Sequence, residues 1–353
     1  MAGNKNLNKA AKAKFDEFYT RLEDIENECG HYTEFFRDKT IFCNCDDPFE
    51  SMFFKYFAKN FNAFGLKKLI SSSYAGSLIV MTELNLEGTP NEIKNFDREN
   101  DAIKSEITEF KDFNGDGRED LYDVEHILKN NKNSIKKLFG NDEYAAGDFR
   151  SPECIKFLEE ADIVVTNPPF SLFREYVKQL VDYDKKFLII GNLNAITYKE
   201  IFPLIMDNKI WLGYGFNKSP RLMLPDYYQS NESIKIDENG KKYQVFGNLN
   251  WFTNLDVKKR HEIIPLGFSY KDEPEKYPKY DNFDAIEVSR TAYIPKDYDG
   301  IMGVPVSFVE QYNPEQFEIV GNAGSYGVDG YSLCPALYIN GRKIFKRILI
   351  RRR

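Results

Sequence analysis

The chain has 353 residues, 29 % of them charged, and a formal net charge of −7. This length is typical of one large domain or two intimate ones, and the composition excludes an intrinsically disordered chain. The negative charge excludes a uniformly basic surface, although nucleic-acid binding requires only one basic face. No apolar run is long enough to cross a membrane, and the first residues lack a signal-peptide core, so we expect a cytoplasmic protein.

Short apolar segments alternate with helical patterns through the first 215 residues. The predicted strands are 39–44, 67–74, 161–167, 185–192 and 209–214. The predicted helices cover 51–61, the segment that starts at Ser171, and 196–208. This alternation predicts an α/β fold with a doubly wound, mostly parallel sheet. Sheets of this kind bind ligands at the carboxyl ends of their strands.

Two of the five cysteines lie in or beside the first predicted strand. Cys43 and Cys45, together with Cys29 and His31, have ligand types that suit zinc. The competing interpretation is that the thiols pack as small apolar groups in a buried strand. We favour the second interpretation because the apolar residues around Cys43 predict burial.

A polar insert spans residues 84–146 and carries the sequence DFNGDGREDLYD. Its side chains fall on the ligand positions of a calcium-binding loop, and the candidate ligands are Asp112, Asn114, Asp116 and Asp120. The last ligand position holds Asp123 where such loops usually have Glu. The segment before the loop, 104–110, alternates like a strand, and 121–130 is helical in pattern. A plain solvated turn rich in Asp, Asn and Gly is the alternative.

The strand predicted at 161–167 ends abruptly in Asn167, Pro168, Pro169 and Phe170. A residue before proline is pushed into extended geometry, and proline fixes its own φ, so this backbone is stiff. The stiff backbone aims two acceptors in fixed directions, namely the Asn167 amide oxygen and the Pro168 carbonyl. The Phe170 ring adds a flat apolar surface beside them.

An exocyclic amine on a flat heterocycle offers the matching groups, which are two N–H donors and a π-face. Its nitrogen lone pair is delocalised into the ring and is a poor nucleophile. Two acceptors on its hydrogens would return electron density to the nitrogen and aim the lone pair at an electrophile. A base inside a duplex cannot reach such a site, so it would have to be flipped out.

The composition changes after about residue 215, where Tyr, Asn, Asp, Gly and Pro become frequent. Strand-like segments such as 242–255 predict a smaller, mixed or β-rich region there. Asn340–Gly341 lies between two alternating runs and predicts a hairpin turn. Basic residues follow without an acid among them, namely Arg342, Lys343, Lys346, Arg347, Arg351, Arg352 and Arg353. They predict either a charged edge strand that resists aggregation or a segment that contacts phosphates.

The ordered motifs KFDEFYT, CNCDDP, GDFRSPE, DIVVTNPPFSLFREY and KKFLII lie in the first 190 residues, and YPKYDNFDAI, GVPVSF and NPEQFE follow later. With this set, the chain resembles the EcoRI-type adenine-specific (N6) DNA methyltransferase family, which uses S-adenosylmethionine. The resemblance covers most of the chain, whereas the polar insert is not part of the core pattern.

The resemblance also implies roles for particular residues. It implies that Phe18, Tyr19 and Thr20 help to hold the methionine part of the cofactor. Asp46 and Asp47 stand where the family class has a glycine-rich turn, and Asp148 and Phe149 match the motif near the cofactor's adenine. It implies that Asn167, Pro168, Pro169 and Phe170 form the catalytic motif. An acidic residue that would hold the ribose is not evident at the end of 67–74.

The implied function is site-specific transfer of a methyl group from S-adenosylmethionine to the N6 amine of a flipped adenine in duplex DNA. The implied domains are 1–215, which binds the cofactor and carries catalysis, and 216–353, which recognises the target. One option is that the second region packs back on the catalytic sheet. We expect a monomer that needs no metal for catalysis and serves a restriction–modification system, with no membrane association.

Several alternatives stay open on the sequence alone. Cytosine also has an exocyclic amine, so N4 methylation of cytosine is the nearest of them. Protein-glutamine N5 methylation uses similar Asn-Pro-Pro chemistry, and a DNA-binding module that has lost catalysis would share the fold. A nuclease would require clustered metal-binding carboxylates with a lysine, and no convincing set is present. The Asn-Pro-Pro segment by itself is also compatible with a turn that merely stops a strand.

Overall fold

The structure, a computed structural model, describes residues 19–49, 51–74, 101–113, 115–117, 120–130, 135–217, 219–224, 233–237, 240–323, 332–334 and 336–353. Phe18 and Asn114, which carry predictions above, lie outside the described residues. The chain divides into two compact units: Met1–Leu193 with Gly215–Leu255, and Asn194–Tyr214 with Asp256–Arg353. The predicted target-recognition region, 216–353, therefore spans parts of both units.

The strands, in chain order, are β1 Tyr19–Thr20, β2 Thr40–Cys43, β3 Lys68–Ser72, β4 Ile103–Ile107, β5 Ile135–Lys137, β6 Ile163–Thr166, β7 Lys186–Asn192, β8 Trp211–Leu212, β9 Arg221–Met223, β10 Ile234–Ile236, β11 Lys242–Val245, β12 Leu249–Thr253, β13 Ile286–Glu287, β14 Met302–Pro305, β15 Phe317–Ala323, β16 Ser332–Cys334, β17 Tyr338–Ile339, β18 Arg342–Lys343 and β19 Arg347–Arg352.

The α-helices are α1 Leu22–Cys29, α2 Thr33–Phe36, α3 Met52–Lys59, α4 Phe61–Phe64, α5 Leu121–Asn130, α6 Pro152–Glu160, α7 Phe173–Asp182 and α8 Phe202–Met206. Short 3₁₀ turns occur at Gly30–Tyr32, Phe170–Leu172, Leu193–Thr197, Lys258–His261, Pro274–Lys276, Thr291–Tyr293 and Val306–Gln311. In the part of the chain that the structure describes, no helix has the length and apolar character that a membrane crossing demands.

The first unit is built on a mostly parallel sheet, in which its strands run in the order β5-β4-β3-β2-β6-β7-β12. β3, β2, β6 and β7 are parallel, and Ile41 in β2 pairs with Leu69 on one side and Ile163 on the other. β4 and β12 flank them as antiparallel neighbours. β2 and β6 are buried along their whole length, as expected of parallel strands covered on both faces. The predicted α/β class with a mostly parallel central sheet is confirmed.

The polar insert contributes to this sheet. β4 and β5 extend its edge, and α5 follows the acidic loop, so the strand and helix predicted within the insert are confirmed. β12 also joins the central sheet, although its position after residue 215 pointed to the C-terminal region. The reason is pairing across a long sequence separation, which local pattern does not reveal.

Aromatic side chains fill the core around α3. Ser51 caps this helix by accepting hydrogen bonds from the backbone N–H groups of Phe53 and Phe54 at 3.1 and 3.3 Å. The Phe53 ring packs edge-on against Trp251, with 5.9 Å between ring centroids. These contacts pack the helix that follows β2 against Trp251 of β12 in the central sheet.

The predicted segments at 196–208 and 209–214 are shorter than expected. α8 begins only at Phe202, because Pro203 suits the first turn of a helix and cannot lie in its interior. The strand that follows is reduced to Trp211–Leu212.

The second unit contains a sheet in the order β13-β14-β19-β15-β16. β19 lies in the middle of this sheet and pairs with both β14 and β15, so its interpretation as a charged edge strand is wrong. The predicted hairpin turn at Asn340–Gly341 is confirmed between β17 and β18. Both turn residues have positive φ, 50° and 72°, as a type I′ turn requires.

Candidate active site

The Asn167–Phe170 segment leaves the carboxyl end of β6 directly. Pro168 and Pro169 are buried, whereas Asn167 and Phe170 are partly exposed. The Leu172 N–H donates to the Pro169 carbonyl at 3.0 Å, which turns the chain into α7. The buried prolines therefore hold a stiff turn that presents the amide and the ring at the edge of the sheet.

Thr166, the last residue of β6, ties this turn to the loop after β2. Its hydroxyl oxygen lies 2.5 Å from the Asn44 carbonyl oxygen and 2.6 Å from Oδ2 of Asp46, and the side chain is fully buried. A hydroxyl has one proton, so Thr166 can donate to only one of these two oxygens. The second short contact requires a proton from another group. A proton on Asp46 supplies it, because Asp46 can then donate to Thr166 while Thr166 donates to Asn44.

Burial raises the pKa of Asp46 to about 7, and the Thr166 and Ser51 hydroxyls, which can donate to the charged carboxylate, oppose this rise only in part. The Ser51 hydroxyl donates to the other carboxylate oxygen at 2.8 Å. The neighbouring Asp47 raises the pKa further. Asp46 is therefore a carboxyl group that keeps its proton up to near-neutral pH at the edge of the sheet.

Asp46→Asn is expected to remove a pH dependence of stability. Between about pH 4 and about pH 7 the folded protein holds the Asp46 proton and the unfolded chain releases it, so the wild type loses stability as pH rises through this window. Asn imitates the protonated acid and does not titrate, so the variant gains stability relative to wild type across that window. Urea unfolding from pH 4.5 to 8 measures this, and a stability difference that stays constant would contradict the assignment.

The loop after β2 is shaped by Asn44. Its side-chain oxygen accepts hydrogen bonds from the Cys45 N–H at 3.0 Å and from the Ser72 hydroxyl at 2.9 Å. Cys45 has a φ of 61°, a left-handed conformation that a glycine adopts more easily. The Asp46 N–H donates to the Ser72 carbonyl at 2.9 Å. Asn44 and β3 thus stabilise this left-handed turn, in which a glycine would be more common.

The Gly147–Phe149 segment lies against the carboxyl end of β3. A Cβ on Gly147, whose φ is +77°, would lie 1.9 Å from the Ser73 carbonyl oxygen, so no other residue fits. Asp148 is buried, and its carboxylate accepts from Nε and Nη2 of Arg150 at 2.9 and 2.7 Å. Arg150, which sequence reasoning missed, also bonds Glu175 through Nη1 at 2.9 Å. It fixes the orientation of Asp148 at this edge.

The remaining predicted cofactor residues are placed less directly. Phe149 is buried and packs edge-on against Tyr176, with ring centroids 5.0 Å apart. The Asp47 carboxylate accepts from the Phe49 N–H at 2.8 Å. Tyr19 and the buried Thr20 form β1 in a separate sheet, of order β1-β9-β11-β10. β1 contacts α3, whose capping Ser51 bonds Asp46, so this motif reaches the edge of the central sheet through a helix.

A second ring accompanies Phe170. Phe246, in the loop between β11 and β12, has its centroid 6.4 Å from that of Phe170 at an interplanar angle of 67°. Both rings are partly exposed. No sequence signal pointed to Phe246, because it follows a strand of ordinary alternation and lies 76 positions further along the chain.

The calcium prediction gains no support from the described residues. They contain no group of three or more His, Cys, Asp or Glu side chains arranged to hold a metal ion. The Asp112 carboxylate accepts from the backbone N–H groups of Gly115 and Gly117 at 2.6 and 2.7 Å. Asp123 is buried and accepts from the N–H groups of Phe113 and Asp120 at 2.7 and 2.9 Å. These carboxylates stabilise the loop and the start of α5, as in the plain-turn alternative.

The zinc interpretation fails for a related reason. Cys29 and Cys43 are free thiols without exposure, and burial raises the pKa of both well above the ordinary value. Zinc binds the thiolate form, which such burial disfavours. The two thiols pack as small apolar groups, as favoured above.

A mostly parallel sheet whose carboxyl edge presents an Asn-Pro-Pro-Phe turn beside buried carboxyl groups is typical of methyltransferases that act on amino groups. The sequence matches the family described as "Adenine-specific methyltransferase EcoRI" over residues 6–353. The chain belongs to this family, and it is an adenine-specific methyltransferase.

Three curated relatives agree with this membership. The chain is 46 % identical to the Type II methyltransferase M.EcoRI of Escherichia coli over 352 residues, which cover 99 % of this chain and 97 % of the relative. It is 38 % identical to M.MgeORF184P of Mycoplasma genitalium over 89 % of this chain and 85 % of the relative. It is 33 % identical to M.MpnI of Mycoplasma pneumoniae over 89 % and 84 %. A comparison with solved structures finds no significant match.

Proposed function

We propose that this methyltransferase acts on duplex DNA at a specific site, where it transfers a methyl group from S-adenosylmethionine to the exocyclic N6 amine of a flipped adenine. The observation that carries the proposal is the stiff Asn167–Phe170 turn at the carboxyl end of a buried parallel strand. Family membership supports the choice of adenine over cytosine. The proposed setting is the cytoplasm of a bacterium with a restriction–modification system, and the proposed state is a monomer.

Asn167 is the proposed positioning group for the target amine. Its side-chain oxygen and the Pro168 carbonyl accept the two amine protons, which aims the nitrogen lone pair away from the ring plane. The amide stays neutral, so the amine proton leaves to solvent after transfer and not to Asn167. Phe170 holds the flipped base by stacking, and Phe246 borders the same space.

The proposed cofactor residues have chemistry that suits S-adenosylmethionine, which supplies an activated methyl group on a cationic sulfonium. Carboxyl oxygens on Asp46, Asp47 and Asp148 are hydrogen-bond acceptors for hydroxyl and amino groups at this edge. Gly147 lets the backbone approach β3 closely, and the Phe149 ring offers an apolar face there. Tyr19 and Thr20 complete the proposed set. No metal ion is needed, because alignment of the amine activates it.

The C-terminal part of the chain, 216–353, is the proposed target-recognition region. It supplies Phe246 to the rim of the site, and the second unit holds the strongly basic end of the chain. The doubly wound topology of S-adenosylmethionine-dependent methyltransferases is the proposed fold of the catalytic part.

The test is product analysis. The purified protein is incubated with S-adenosylmethionine and unmethylated genomic DNA, the nucleosides are identified by mass spectrometry, and modified positions are mapped by sequencing. We expect N6-methyladenine at one short sequence. N4-methylcytosine would favour the nearest alternative, and DNA without methylated bases would overturn the proposal.

Phe170→Ala is expected to lower kcat/KM for DNA by roughly 10- to 100-fold, because base–aromatic stacking contributes about 1–3 kcal/mol. Phe170→Tyr keeps the ring and should stay within a few-fold of wild type. Phe246→Ala should lower the same constant by a smaller factor, since this ring meets Phe170 edge-on. Steady-state assays with one DNA duplex measure all three variants. An unaffected Phe170→Ala enzyme would show that the base does not stack there.

A further inference from the structure

Six of the seven basic residues of the C-terminal segment, all but Arg353, separate into two groups in the structure. Three of its arginines are committed to carboxylates: Arg347 to Glu287 at 2.5 Å, Arg351 to Glu318 at 2.7 Å and Arg352 to Asp299 at 3.0 Å. Residues 338–346, which we call the hairpin arm, carry Arg342, Lys343 and Lys346 and no acidic residue. In the part of the chain that the structure describes, none of these three cations is ion-paired.

An exposed aromatic ring lies among these cations. Phe345 is 77 % exposed and lies between Lys343 and Lys346 in the sequence, and Tyr338 opposite Lys343 in the hairpin is 37 % exposed. Because the Phe345 ring is exposed, it does not contribute to the core of this unit. The combination suits a partner that offers both negative charge and apolar surface, and duplex DNA offers phosphates beside sugars and base edges.

The hairpin arm is held rigidly. Ile339 and Ile344 turn inward and pack on the core cluster that contains Tyr280, Leu337 and Leu349. The Asp281 carboxylate accepts from the N–H groups of Asn340 and Gly341 at 3.1 and 2.8 Å, which fixes the turn and engages that carboxylate. The cations and Phe345 are therefore presented outward from a fixed base, so little backbone conformational entropy is lost when they bind.

We propose that the hairpin arm is a DNA-contacting element in which Arg342, Lys343 and Lys346 bind backbone phosphates and Phe345 packs against the sugar or base surface. This inference rests on the proposed function, which supplies DNA as the partner. It also relocates the phosphate contacts: the cations at 342–346 are available, whereas Arg351 and Arg352 are held by Glu318 and Asp299.

The charge component is tested by fluorescence anisotropy with a labelled duplex between 50 and 200 mM salt. The triple variant Arg342→Gln, Lys343→Gln and Lys346→Gln should lower the slope of log K against log salt by about 0.9 per lost contact, or about 2.7 in all. The matched control is the double variant Arg351→Gln with Arg352→Gln. Its slope should change by less than about 0.9, the value for a single lost phosphate contact. An unchanged slope in the triple variant would overturn the proposal and leave an acidic protein as the partner of the arm.

The aromatic component has a different signature. Phe345→Ala should weaken DNA binding by roughly tenfold at every salt concentration and leave the slope unchanged, since no counterion is involved. Phe345→Trp should bind like wild type. Phe139→Ala is the matched control, because Phe139 is 74 % exposed on the first unit and should not affect binding. Wild-type affinity in Phe345→Ala would refute the role of the ring.

DNA binding by the hairpin arm and methyl transfer at the active site can be tested independently. At saturating DNA, the hairpin-arm variants should transfer methyl groups at the wild-type rate, because the arm is not part of the reacting site. If the wild type binds DNA with the expected salt dependence but methylates no adenine, the proposed function fails and the arm stands. If methylation proceeds and arm variants bind normally, only the inference fails.

Discussion

Asn167→Ala is expected to slow the methyl-transfer step by about a hundredfold or more, by analogy with the loss of one preorganised hydrogen-bonding group around a reacting atom. The reason is geometric and electrostatic: the Asn167 oxygen accepts one of the two amine protons and so aims the nitrogen lone pair. Phe170 and the Pro168 carbonyl remain, so the base is still held but is aligned by a single acceptor. Single-turnover transfer on a duplex with saturating cofactor measures this step without interference from product release.

Two comparisons separate this role from a structural one. Asn167→Asp keeps an acceptor in place and should retain more activity than Asn167→Ala. Cofactor affinity, measured by calorimetry, should change less than a few-fold in either variant. Wild-type transfer by Asn167→Ala would show that the segment is only a strand-ending turn, whereas a large loss of cofactor affinity would mean that Asn167 holds the cofactor.

Thr166→Val should impair both catalysis and cofactor binding, although Thr166 itself is proposed to touch neither reactant. Its hydroxyl lies 2.5 Å from the Asn44 carbonyl oxygen and 2.6 Å from Oδ2 of Asp46. Valine has the same shape but leaves buried polar groups without a partner, which costs about 1–3 kcal/mol each. The loop after β2 would then shift relative to Asn167, and a displacement of this kind can cost about a hundredfold in rate. We expect a tenfold to hundredfold loss in single-turnover rate and a raised dissociation constant for the cofactor.

The matched control is Thr253→Val. Thr253 is equally buried in the same sheet, and its hydroxyl donates to the Phe187 carbonyl at 2.7 Å. This bond lies near the start of β7, away from the carboxyl ends of the parallel strands where the site lies. Both valine variants should lose stability in urea, but only Thr166→Val should lose cofactor affinity and rate. Thr166→Ser retains the hydroxyl and should restore both. Equal effects of the two valine variants would mean that Thr166 contributes to stability alone.

The components of the site that follow from local sequence are those whose geometry depends on adjacent residues. Two successive prolines restrict the backbone of Asn167 and Pro168 wherever the segment lies, so the stiff turn could be predicted. The apolar runs of β2, β3, β6 and β7 predicted buried parallel strands, and parallel strands bring their carboxyl ends to one edge. The placement of Asp46 and Asn167 along that edge followed from these local patterns, whereas Asp148 was assigned only through the resemblance to the family.

Contacts across long stretches of chain were beyond prediction. The bond between Thr166 and Asp46 joins residues 120 positions apart, and the meeting of Phe170 with Phe246 depends on the path of the loop between β11 and β12. A threonine at the end of a strand and a phenylalanine after one are ordinary in sequence. Their roles arise only when folding brings a partner within hydrogen-bond or van der Waals distance.

The sequence by itself determined the family, the α/β class, the Asn-Pro-Pro-Phe turn and the hairpin at Asn340–Gly341, because each depends on residue order or on local backbone restriction. Only the tertiary structure decided which charged groups are available. It placed β19 in the middle of a sheet and paired Arg347, Arg351 and Arg352 with carboxylates, and it committed Asp112 and Asp123 to backbone N–H groups. The physical reason is that a charge or a carboxylate has the same appearance in sequence whether it is free or engaged. Its partner lies on another strand or loop, and the fold alone sets the distance between them.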